Sequence, residues 1–126
     1  TVDNVAKGTS SVIENAAKGF AGVLDFFKSS EDFVNRGLER LENEQYKEAI
    51  EDFTQAININ PKYADAFFLK GCTYSDIGNY QEAIADYTCT IKIAPKYIDA
   101  YNNRGHILAI KEDYQSAISD YTDSIK

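Results

Sequence analysis

One stretch of this chain, Phe67 to Tyr97, returns along the sequence at a spacing of 34 residues, and no other feature constrains the fold as much. Its beats are Phe67, Lys70-Gly71, Tyr80, Ala83-Ile84, Asp86-Tyr87, Ile91 and Pro95-Lys96-Tyr97. One period later come Tyr101, Arg104-Gly105, Tyr114, Ala117-Ile118, Asp120-Tyr121 and Ile125. One period earlier come Phe33, Arg36-Gly37, Tyr46, Ala49-Ile50, Asp52-Phe53, Ile57 and Pro61-Lys62-Tyr63. A period of this length marks a stack of like units, none of which can bury its apolar face alone. The units run 30–63, 64–97 and 98–126, the last one short.

Within a unit the spacing predicts two helices. In the middle unit Phe67, Gly71, Tyr74 and Ile77 mark the face of the first, and Gly78-Asn79 breaks it. Tyr80, Ala83, Ile84, Tyr87 and Ile91 mark the second, which Pro95 ends because proline cannot continue the hydrogen-bond ladder. Gly37, Gly71 and Gly105 sit mid-helix, where glycine is unfavourable, and Ala49, Ala83 and Ala117 sit early in the second helix. Such small residues let paired helices approach, with aromatic residues filling the space beside them. Arg36, Lys70 and Arg104 recur with Asp52, Asp86 and Asp120, a pattern that predicts a helix-to-helix ion pair in every unit. Any such pair that stays exposed contributes little stability.

The composition narrows the function classes. A formal charge of −7 disfavours nucleic acid and anionic membrane surfaces as partners and mildly favours a basic segment. Two cysteines, Cys72 and Cys89, and one histidine, His106, supply neither a disulfide framework nor a paired metal motif. The expectation is no cofactor, no metal and no enzyme, with a reducing, cytoplasmic setting. No uncharged apolar run approaches the ~20 residues that would span a bilayer. The chain starts at Thr1 without Met, so targeting information can lie outside it.

Residues 1–29 do not keep the period. Val5, Thr9, Val12, Ile13, Ala16, Phe20, Val23, Leu24 and Phe27 follow helical spacing instead, which predicts one long amphipathic helix. Three placements fit that face: packed on the first unit as a cap, docked into another copy of the chain, or lying on a membrane surface.

With these residues in view, the sequence resembles the tetratricopeptide repeat, whose pattern is an aromatic, then Leu-Gly-x2-Tyr, then Ala-x3-Phe, then Pro. The likeness covers residues 30–126. Arg36, Lys70 and Arg104 replace the Leu, Arg40 and Leu108 replace the Tyr, and Thr90 and Ser124 replace a late alanine kept as Ala56. The resemblance implies an all-α protein, a right-handed α-solenoid of three helix-turn-helix units preceded by the long N-terminal helix. It also implies a scaffold that binds another protein in a concave groove lined by the first helices.

Carrying the family's groove positions onto this chain gives Glu31, Val34, Asn35, Leu38, Leu41 and Glu42 from the first unit. The second supplies Asp65, Phe68, Leu69, Cys72, Ser75 and Asp76, and the third Asp99, Asn102, Asn103, His106, Ala109 and Ile110. Val34, Leu38, Phe68 and Cys72 fall off the repeating core face, so packing within a unit does not require them and they read as contacts. The same residues would serve if they instead held the N-terminal helix. Asn102 and Asn103 suit a peptide backbone, and Asp65 and Asp99 make the rim acidic. The expected partner is therefore a peptide or helix with apolar anchors and some basic residues. Members of the family that clamp acidic chaperone tails place Lys, Asn or Arg where this chain has Val34, Leu38, Leu69, Asp99 and Asn103. That resemblance implies a different ligand here. Cys72 and His106 occupy the same position in adjacent units, but lack a third partner for metal or nucleophilic chemistry. The third unit stops inside its second helix, leaving Ile110, Ile118 and Ile125 short of cover. Either the array continues beyond Lys126, the favoured expectation because the break falls inside a unit, or that face meets another chain. Self-association through that end is the alternative role.

Overall fold

The computed structural model describes residues 28–126, and the helix expected over residues 1–29 falls almost wholly outside them. Six helices follow in order: α1 Ser30–Glu42, α2 Tyr46–Ile59, α3 Ala64–Asp76, α4 Tyr80–Ile93, α5 Ile98–Ile110 and α6 Tyr114–Ser124. Each packs against the next. α3 also touches α5 directly, whereas no comparable contact joins one second helix to another. The first helices thus lie on the inner side of the curve.

Local chemistry sets the helix boundaries. Ser29 caps α1 reciprocally: its Oγ accepts from the Asp32 amide at 3.1 Å, and the Asp32 carboxylate accepts from the Ser29 amide at 3.0 Å. α2 and α4 end at Ile59 and Ile93. The next residues, Asn60 and Ala94, are extended at φ −128° because each precedes a proline. The tight turn inside each unit needs one left-handed residue. Gly78 meets that need freely at φ 81°, while Glu44 and Glu112 adopt φ 57° and 64° without glycine's freedom. Ile77, expected on the apolar face of α3, instead caps the helix in this exposed turn.

The mid-helix glycines are explained by one contact. A Cβ on Gly37 would lie 2.6 Å from the Phe53 ring, and one on Gly71 would lie 2.8 Å from the Tyr87 ring. At Gly105 the nearest atoms stand at 3.2–3.3 Å, tight but less forbidding. Each glycine lets the aromatic ring of the second helix lie directly on the first helix's backbone. The expected outcome is that Gly71→Ala destabilises by about 1–3 kcal/mol through overpacking. Gly105→Ala should stay within about 1 kcal/mol of the parent, since alanine's helix propensity offsets the smaller clash. Denaturant midpoints of the two variants check the ordering.

The expected ion pairs are present, and their carboxylates are buried rather than exposed. Arg36 forks onto Asp52, with Nη2 and Nε donating to Oδ1 at 2.7 and 3.0 Å, while Arg40 Nη1 stands 3.2 Å from Oδ2. Arg104 forks onto Asp120 at 2.7 and 2.8 Å and reaches Thr88 Oγ1 at 3.1 Å. Each cation also lies over the ring of the aromatic residue three positions earlier: Arg36 over Phe33, Lys70 over Phe67, Arg104 over Tyr101.

The middle unit is the odd one. Lys70 Nζ reaches only Asp86 Oδ1, at 3.3 Å, and Asp86 Oδ2 is buried with no hydrogen-bond partner. Burial pushes the Asp86 carboxyl up to about 6; Lys70 opposes the rise and Glu82 adds to it. A folded-state value above the unfolded one means that the folded chain binds this proton more tightly. This group's contribution to stability is therefore full below about pH 4 and is lost as pH rises through about 6. Lys70→Arg would supply the missing donor. Its expected effect is a gain of about 1–2 kcal/mol near neutral pH, and less in mild acid. Urea unfolding of parent and variant at both pH values measures it.

Candidate functional site: the groove between the first helices

α3 and α5 bring several of the expected groove residues together. Between them lies a hollow of about 170 Å³, lined by Cys72, Ser75, Asp76, Tyr87, Asn103 and His106. Asn103 Nδ2 donates to Cys72 Sγ at 3.6 Å, and Tyr87 lines the same hollow from the second helix of the middle unit. Cys72 and His106, matched in repeat position, thus line one hollow from different helices. Burial pushes the Cys72 thiol above its ordinary value; Tyr87 and Asn103 pull against this, and Asp76 and Asp99 add to it. A thiol held protonated is a packing and hydrogen-bonding group, not a nucleophile. Among the described residues no three His, Cys, Asp or Glu side chains gather to hold a metal.

Towards the start of α3 the lip is aromatic. The Phe68 ring lies 5.0 Å from that of Tyr97 and 5.8 Å from that of Tyr87. Tyr97 donates its hydroxyl to Asp65, so one rim carboxylate is tied to the scaffold. Burial raises the Tyr97 phenol well above its ordinary value, and the bond to Asp65 adds to the rise.

Two expectations about free apolar contacts need correction. Val34 is only 5% exposed and belongs to the core with Phe33, Ala49, Phe53, Ala56 and Ala66, so the fold does require it. Phe68 and Cys72 are half-buried against the second core around Ala83, Tyr87 and Ile107, and Leu69 packs against the first. Packing within the unit, on Ala83 and Tyr87, and against Ile107 of the next unit both recruit Phe68 and Cys72. Leu38 does stay accessible, at 38%. Asn35, Asp99 and His106 are exposed, while Asn102 and Asn103 are half-buried. Asn35 and Leu38 lie on α1 and do not line the hollow between α3 and α5.

The Tyr87 hydroxyl was not legible as a groove group. Its repeat position marks it as core, and only its depth beneath α3 and α5 brings the oxygen to the floor. The signal was present in the sequence: unit one has Phe53 there, so the middle unit's hydroxyl is an addition that the ring packing does not need.

Stacked helix pairs with an inner groove define a repeat scaffold, and sequence comparison identifies which. Descriptions of the tetratricopeptide repeat match residues 37–78, 64–97 and 98–126 in succession, and the chain belongs to that family. No curated protein sequence matches it. Among solved structures, MamA is 29% identical, with a TM-score of 0.76. The match covers 77% of this chain and 57% of that one, so the chain spans little more than half of MamA's length. The second TPR of Spaghetti (RPAP3), bound to the HSP90 peptide SRMEEVD, is 23% identical with a TM-score of 0.74, covering 78% of this chain and 91% of that one. YrrB, described as a TPR protein with an unusual peptide-binding site, is 24% identical with a TM-score of 0.71, covering 79% and 51%. The last two likenesses bear on the fold alone.

Proposed function

We propose that this protein is an interaction scaffold whose inner groove binds a peptide or helical segment of a partner, one with apolar anchors and some basic residues. The observation that carries this reading is the charge arrangement of the groove. The four cations of the first helices, Arg36, Arg40, Lys70 and Arg104, are all turned onto second-helix carboxylates. The inner face keeps Asp65, Asp76 and Asp99 beside Asn102, Asn103, Phe68 and Leu38. Such a face attracts a basic segment and repels an acidic one. The acidic peptide bound by the Spaghetti domain therefore has no counterpart in the ligand proposed here. No chemical step belongs to this function, and the protonated Cys72 is consistent with its absence.

Random-peptide display against the whole chain tests the reading. Enriched peptides should combine apolar with basic residues. Asp99→Lys and Leu38→Glu, both at exposed sites, should each weaken them about tenfold or more. Circular dichroism confirms that the variants fold. Pools without charge bias, or binding indifferent to both variants, would overturn it.

A second reading, assembly of copies through the last unit, has its own observation. Phe53 and Tyr87 are 0% and 1% exposed because the next unit covers them, whereas the equivalent Tyr121 is 40% exposed. In the same unit a hollow of about 860 Å³ opens among Ile98, Tyr101 and Ile125. On this reading a second copy supplies the cover, and sedimentation should show a mass that rises with concentration. Ile118→Lys with Ile125→Lys should abolish that rise; a monomer at high micromolar concentration would dismiss the idea.

A further inference from the structure

The hollow between α3 and α5 has a chemistry of its own, and this inference rests on the groove reading above. Its lining holds one formal charge, the carboxylate of Asp76, and no Lys or Arg. The cations of the two helices themselves are engaged elsewhere, Lys70 with Asp86 and Arg104 with Asp120 and Thr88. Asp76 has no hydrogen-bond or ion-pair partner among the described residues and remains exposed.

Asp76 is also badly placed for the fold. It is the last residue of α3, where the helix presents the negative end of its dipole and where a cation, not a carboxylate, is favoured. The corresponding positions hold Glu42 in the first unit and Ile110 in the third, so no repeat-wide packing rule demands aspartate there. The charge reaches inward. Asp76 disfavours ionisation of both the Cys72 thiol and the Tyr87 phenol, and Asp99 adds to the effect on Cys72. Helix end and carboxylate together make the hollow a region of negative potential with polar walls. At about 30 Å³ per water-sized group it accepts roughly five such groups. A lysine side chain beyond Cα has that many heavy atoms.

We propose that this hollow is a pocket for one cationic side chain of the bound segment. Asp76 is the counter-charge, and Ser75 Oγ and the Asn103 amide oxygen are the further acceptors. The bond from Asn103 Nδ2 to Cys72 Sγ holds that amide in place across the hollow. The pocket selects by charge at one point of the groove, while the aromatic lip at Phe68 and Tyr97 is free to take an apolar neighbour.

The test uses the whole chain and three small probes: n-butylammonium, n-butylguanidinium and butyrate, followed by amide NMR shifts. Both cations, or the ammonium alone, should shift Asp76, Asn103 and His106 in a saturable way, and butyrate should not. Asp76→Asn should weaken the cations at least threefold without loss of fold, since the substitution removes a charge that opposes the helix dipole. Butyrate binding as well as the cations, no saturable shift at these residues, or no effect of Asp76→Asn would each overturn the pocket. Peptides from the display experiment separate the two ideas. If they bind through the groove but their basic residue is indifferent to Asp76→Asn, the pocket is wrong and the groove stands. If the probes bind here and no peptide does, the groove reading fails and a cation site remains.

Discussion

The stack depends on a ring pressed against a glycine. In the first two units the second helix lays an aromatic side chain directly on the backbone of the first, at a separation that leaves no room for a Cβ, and in the third the same approach is slightly looser. Close approach brings the buried aspartate of the second helix within reach of the cation one position before that glycine. The cation in turn covers the aromatic ring three positions back. Glycine, ring, carboxylate and cation therefore form one device, repeated with small variations. It commits the cations of the first helices to internal work.

That commitment shapes the groove. With Arg36, Lys70 and Arg104 facing the second helices, the inner surface keeps its carboxylates without local compensation. An acidic inner face is thus a by-product of how the units are held together, and the proposed preference for a basic segment follows from it. The middle unit carries the weakest version of the device, because a lysine ammonium makes one contact where arginine makes two and leaves Asp86 Oδ2 unpaired. The same unit contributes most of the hollow between α3 and α5. The weakest ion pair and most of the hollow's lining thus come from the same two helices.

Much of this was legible before any coordinates. The 34-residue period located both helices of each unit, the prolines located the ends of α2 and α4, and the recurrence of Arg/Lys with Asp located the ion pairs. Burial of the groove residues was less legible, because period identifies contacts inside a unit better than contacts between units. Val34 read as spare and proved to be core, since it is buried in a cluster that includes Ala66 of the next unit. Ile77 read as core and proved to be an exposed turn residue, since the left-handed Gly78 redirects the chain there. Tyr87 read as core only, and its hydroxyl is the floor of the hollow.

The sequence by itself determined the helical class, the repeat boundaries, the charged pairs and the acidic balance, because these follow from short-range spacing and from composition. Only the tertiary structure decided which apolar residues are used up between units, which carboxylates lose their cations, and that Cys72, Asp76, Tyr87, Asn103 and His106 meet around one hollow. The physical reason is distance along the chain. These groups come from three helices, and their meeting depends on how closely one helix pair settles on the next, a separation governed by the rings and glycines rather than by any local motif.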